Sequence, residues 1–136
     1  MSKSLIQVAN TSTQAVTPTT TSPAIVSLGT TIRRYGCNLR QNGYAIEENG
    51  EGYYEIEGTI TVAPTTAGVV TVALYENGEI MRGSQVSSYV SLAENPITLP
   101  LIATSRIMCC NTANVSVGVV EGAGNVQNVS LRIVKS

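Results

Sequence analysis

The sequence predicts an all-β protein, a sandwich or barrel of about ten short strands. Three observations predict it. Apolar residues recur with period two along most of the chain, turn residues interrupt these runs at short intervals, and no segment joins a helical period to capping residues. At 136 residues the chain has the size of one domain and can bury a core without disulfides or metal. One domain over residues 1–136 is expected, with residues 1–30 supplying N-terminal strands and a connector.

The elements follow in order. A first strand is expected near Leu5–Asn10 and a second near Ala24–Leu28. The low-complexity stretch Thr17–Pro23 between them reads as extended connector. From Tyr53 to Val62, Tyr54, Ile56, Ile60 and Val62 share one face, while Tyr53, Glu55, Glu57, Thr59 and Thr61 occupy the other. That is a strand with one wet face. Val70, Val72 and Leu74 alternate with Thr71, Ala73 and Tyr75; Val86, Val90 and Leu92 alternate with Ser87, Tyr89 and Ser91. Val115, Val117 and Val119 repeat the pattern, as do Val129, Leu131 and Ile133. Asn77-Gly78 sits between two strand-like runs, where two residues tolerant of positive φ make a type I′ hairpin. Asn42-Gly43, Asn49-Gly50, Pro64–Gly68, Asn95-Pro96 and Gly122–Asn125 mark further corners.

Several strands break the alternation. Val69 and Val70, Val119 and Val120, and Ile133 and Val134 are apolar pairs, and Ile97, Leu99, Leu101 and Ile102 form a run broken only by Pro100. Strands apolar on both faces are buried on both faces. A lone sandwich has no second partner for its outer face, so an oligomer is expected.

Hydrophobic residues make up 43%, charged residues 12%, and the formal net charge is −1. No basic excess exists for nucleic acid and no polybasic run for an anionic membrane. No stretch approaches a membrane span. The opening Met1–Ile6 carries no apolar segment or cleavage site, so assembly in a cytoplasm is expected. The three Asn-x-Ser/Thr sequons at Asn10, Asn114 and Asn128 then read as ordinary β-surface residues.

The chain contains no His, Asp, Trp or Phe. The usual Ser–His–Asp and Cys–His nucleophile pairs cannot form, nor can HExxH zinc sites, EF-hand loops or kinase-type magnesium sites. Glutamates alone could still pair as in glycoside hydrolysis. The cluster Glu47-Glu48-Asn49-Gly50-Glu51 is open to three readings: a catalytic pair, a weak cation site, or a solvated turn. The turn is preferred, because no aromatic sugar platform accompanies the carboxylates. No catalytic, cofactor-binding or metal-binding residue is assigned, and no cofactor is expected.

Cys37, Cys109 and Cys110 are an odd count and a poor disulfide framework. Adjacent cysteines in a strand point to opposite faces, and a bond between them would be strained. They read as small reduced hydrophobes in a strand. Arg33 and Arg34 are consecutive and face opposite sides if extended. One of them buried would need a carboxylate such as Glu55 or Glu57; otherwise both are edge charges that block sheet pairing.

Specific residues carry a resemblance. Gly52-Tyr53-Tyr54-Glu55-Ile56, then Leu74-Tyr75-Glu76-Asn77-Gly78-Glu79-Ile80, then Gly83-Ser84 resemble the trimeric jelly rolls of the tumour-necrosis-factor and complement type. Bacterial and phage members resemble it more closely, including the C-terminal heads of spore-surface collagen-like filaments. The order Gly-Tyr-Tyr-x-Ile, Leu-Tyr-x-Asn-Gly, Gly-Ser matches that group. The opening Leu5–Thr11, Leu28-Gly29-Thr30, Arg34-Tyr35-Gly36-Cys37, Met108-Cys109-Cys110 and Asn128–Ile133 are similar to small structural proteins of phages that infect gut bacteria. This resemblance spans nearly the whole chain and implies a jelly-roll homotrimer without enzymatic activity. It further implies a capsid decoration, head-fibre or attachment module at the virion surface that contacts other virion proteins. Such trimers often place aromatics at the threefold axis. Here Tyr35, Tyr44, Tyr53, Tyr54, Tyr75 and Tyr89 would serve. The alternative role is a carbohydrate- or receptor-binding module that meets host-surface glycans through tyrosine-rich loops.

Overall fold

The structure is a computed structural model that describes residues 3–136; of the opening segment, Met1 and Ser2 lie outside the described residues. The described residues form thirteen strands: β1 (Ser4–Asn10), β2 (Gln14–Val16), β3 (Ala24–Ile25), β4 (Thr30–Tyr35), β5 (Leu39–Gln41), β6 (Ile46–Asn49), β7 (Gly52–Pro64), β8 (Gly68–Glu76), β9 (Glu79–Ile80), β10 (Val86–Val90), β11 (Ile97–Ile107), β12 (Thr112–Glu121) and β13 (Gly124–Lys135). The excess over the expected ten comes from two- and three-residue strands such as β2 and β5, too short to show a period.

Two sheets form a jelly roll. The first runs β11-β7-β13-β1-β4, with β2 paired to β13; the second runs β10-β8-β12-β6-β5, with β3 on β12 and β9 on β8. All pairings are antiparallel. Consecutive strands mostly alternate between the sheets, so the core closes only when distant segments meet.

The alternation sets the register. Tyr54, Ile56, Ile60 and Val62 on β7 are buried, as are Val129, Leu131 and Ile133 on β13. Val70, Val72 and Leu74 on β8 and Val115, Val117 and Val119 on β12 meet them from the other sheet. Asn77 and Gly78 take φ of 51° and 86°, the two positive angles of a type I′ turn. Ser84 is buried and its hydroxyl donates to Met81 O at 2.7 Å, tying the segment after this hairpin to it. Leu92 departs from expectation: it is 67% exposed, beyond the end of β10.

The second face of β8 is covered within the chain. Thr71, Ala73 and Tyr75 are buried although they point away from the core. The Tyr75 ring lies over Gly118, with Ile25 of β3 beside it. The short strand β3 thus supplies part of the cover that the sequence assigned to an oligomer. Among the described residues no helix is long and apolar enough to cross a membrane.

Candidate functional site

The outer face of the β11-β7-β13-β1-β4 sheet carries the side chains that the core does not use. Register places them in rows. One row runs Ile102, Glu57, Arg132, Gln7 and Arg33; the next runs Thr104, Glu55, Val134, Leu5 and Tyr35. A third runs Pro100, Thr59, Ser130, Ala9 and Thr30. Ile102 is 66% exposed, and Leu5 and Val134 are half-buried. Arg132 Nη1 lies 3.2 Å from Glu57 Oε1. Shallow depressions flank this pair on both sides, and Ile102 borders each of them. Pro100 sits on β11, an edge strand, where a missing N–H is tolerated. Arg106 lies over the Tyr53 ring at 5.6 Å.

This arrangement decides between the two arginine readings in favour of edge charges. Glu57 pairs with Arg132, not with Arg33 or Arg34. Both of the latter are exposed on the edge strand β4, and Arg34 Nε donates to Leu39 O at 2.7 Å. They occupy the position of edge-blocking charges.

The acidic cluster is not a solvated turn throughout. Ile46–Asn49 is strand β6, and Glu48 shares the inward parity of Ile46 and is fully buried. Ser105 Oγ on β11 donates to Glu48 Oε1 at 2.8 Å, while Oε2 has no hydrogen-bond partner. Burial outweighs the Ser105 bond and, with the charge of Glu76, pushes the Glu48 carboxyl up to about 7. Neutral acid costs less than a buried lone charge. Tyr54, pushed up to about 12 by burial and then by Glu48, donates its hydroxyl to Asn49 O and Gly50 O. Glu47 stays at the surface, 3.4 Å from Arg40. The cation reading needs convergent ligands; among the described residues no group of three acidic or cysteine side chains that could hold a metal converges.

An open cleft of roughly 570 Å³ lies between the β8–β9 hairpin and the end of β11, walled by Glu76, Glu79, Arg82 and Arg106. Charges of both signs line it, so it offers no apolar site for a small ligand.

The cysteines are also corrected. Cys37, Cys109 and Cys110 are all exposed and outside the strands. Cys109 and Cys110 occupy a turn closed by Asn111 N donating to Met108 O at 3.2 Å. Of the six tyrosines, Tyr54 and Tyr75 are core residues, while Tyr35, Tyr44, Tyr53 and Tyr89 are more than half exposed.

No family model matches the chain, and no curated protein matches it. Solved structures do. Murine APRIL, of the tumour-necrosis-factor family, superposes with a TM-score of 0.70 at 10% identity over 99% of this chain and 100% of that one. The globular domain of zebrafish complement 1qA protein gives 0.64 at 9% identity, over 96% of this chain and 94% of that one. Vertex protein P5 of phage PRD1 gives 0.55 at 10% identity, over 98% of this chain and 72% of that one. Identities this low establish the fold: a jelly roll of the tumour-necrosis-factor and complement type.

Proposed function

We propose that the chain is a non-enzymatic homotrimeric module on the outside of a bacteriophage particle, a capsid decoration or head-fibre protein that docks on other virion proteins. The observation that carries the self-association is the outer face of the β11-β7-β13-β1-β4 sheet. It presents exposed Ile102 and Pro100 and half-buried Leu5 and Val134, with no covering segment among the described residues. A threefold ring would cover that face with one contact used three times and leave no open edge for further growth. The fold shared with a phage vertex protein supports the virion location. The absence of His and Asp from the sequence and the mixed charges of the cleft beside the β8–β9 hairpin support a role without catalysis. Mass spectrometry of gradient-purified particles tests this reading. The chain should band with the capsid proteins in fixed stoichiometry; recovery only in the particle-free fraction contradicts it.

A second reading rests on the four exposed tyrosines. Their ring faces are the aromatic surface a glycan would need, so the same module could meet host-surface carbohydrate. A glycan array probes it, with binding lost on Tyr→Ala substitution as the expected signature.

A further inference from the structure

We propose that Cys109 and Cys110 are an exposed vicinal dithiol, a redox-modification site that a small-molecule disulfide closes into a disulfide within the β11–β12 turn. Their sulfurs lie 3.1 Å apart, both side chains are exposed, and Cys110 takes a φ of 69°. Positive φ is uncommon for a residue other than glycine. Here it turns the chain at Cys110, and the two thiols of neighbouring residues lie side by side instead of on opposite faces as in a strand. Neither sulfur packs into the core, so the pair has no structural duty that oxidation would disrupt.

The step balances. A thiolate of the pair attacks one sulfur of a dialkyl disulfide, forms a mixed disulfide and releases one alkyl thiolate. The neighbouring thiolate then attacks the protein sulfur of that mixed disulfide and releases the second. Two cysteine thiols are oxidised, one dialkyl disulfide is reduced to two thiols, and the two cysteine protons pass to the released thiolates. Proximity makes the second attack intramolecular. Adjacent Cα atoms lie ~3.8 Å apart across a trans peptide, below the ~4.4 Å minimum of an ordinary disulfide. The ring is therefore strained and readily reduced, as suits a reversible modification. Cys109 holds its proton above the ordinary thiol range, chiefly through its hydrogen bond with Cys110, then through slight desolvation and the Glu51 carboxylate. Closure should accordingly be faster at alkaline pH. The negative charge of Glu51 favours an uncharged oxidant such as 2-hydroxyethyl disulfide.

Cys37 lies on the separate turn between β4 and β5, exposed, and is an internal control. The reduced full chain, incubated with 2-hydroxyethyl disulfide, should lose all reactivity at Cys109 and Cys110. The peptide containing both should become lighter by two hydrogens with no adduct, and Cys37 should carry at most a mixed disulfide. Phenylarsine oxide, a trivalent arsenical that bridges paired thiols, should block two of the three thiols in the native chain, both thiols in Cys37→Ser, and none in Cys110→Ser. Separate hydroxyethyl adducts on both Cys109 and Cys110, a bond from either to Cys37, or arsenical capture unchanged in Cys110→Ser would each overturn the proposal.

Discussion

Ser105 and Glu48 join the two sheets through the core, the serine hydroxyl of β11 donating to a buried carboxyl oxygen of β6 at 2.8 Å. One oxygen of that carboxyl is satisfied and the other is not, so ionisation leaves a poorly compensated charge between two hydrophobic layers.

The folded protein therefore prefers Glu48 protonated, with its carboxyl at about 7 against 4.5 for an unburied one. Below about 4.5 the group is protonated folded or unfolded, and its contribution is fully present. As pH rises from about 4.5 through about 7, the unfolded chain releases the proton first, and stability falls by about 3 kcal/mol in total. Urea unfolding at pH 5.5 and pH 8 should show about 2 kcal/mol of that loss in the native chain, the rest lying below pH 5.5. Glu48→Gln keeps an acceptor for Ser105 and removes the titration, so it should be more stable than the native chain at pH 8. An equal pH slope in both would contradict this account of the site.

Ile60 is fully buried at the centre of β7, opposite Val129 and Leu99. Ile60→Ala should cost about 2–5 kcal/mol, the transfer term plus the cavity left by neighbours that cannot collapse into it. Chemical denaturation measures it. A loss below about 0.5 kcal/mol, typical of surface positions, would place Ile60 on the wrong face.

At Gly78 an added Cβ meets no atom within 4 Å, yet φ is 86°. The cost of Gly78→Val is then purely conformational, about 1–2 kcal/mol or more for a β-branched residue forced left-handed. Thermal unfolding should register it as a lower midpoint. Native stability in this variant would exclude the type I′ turn.

Most of the fold was legible because period-two alternation and Asn-Gly corners are local signals. Tyr54, Ile60 and Val117 take the face their parity assigned, and Pro100 stands on an edge strand, as its missing N–H requires. What escaped was set by distant partners. Glu48 looks like part of an acidic turn, and only the parity it shares with Ile46, between the corners Asn42-Gly43 and Asn49-Gly50, hints at a four-residue strand. The Cys109-Cys110 turn has no glycine or proline to announce it; a cysteine fills the left-handed position. Tyr75 of β8 packs over Gly118 beside Ile25, about fifty residues away in sequence, so local pattern could not separate that face from an intermolecular surface. The Glu57–Arg132 pair is likewise a product of β7–β13 register, invisible until those strands are aligned.

Ile102 tests where the subunits meet. It is 66% exposed on the outer face, beside Glu57, so Ile102→Glu should leave the folded subunit intact and set a second carboxylate against the first. The expected outcome is an unchanged β-type circular dichroism spectrum with weakened self-association. An assembly as tight as the native one would move the interface to another surface.

Sedimentation equilibrium of the native chain under reducing conditions, at micromolar concentration, tests the central claim most directly. The account predicts three times the chain mass of 14.3 kDa, retained with reductant because no disulfide links the subunits, and a shift toward one chain mass for Ile102→Glu. A native chain that sediments as a monomer would contradict the trimer and the particle-surface role built on it.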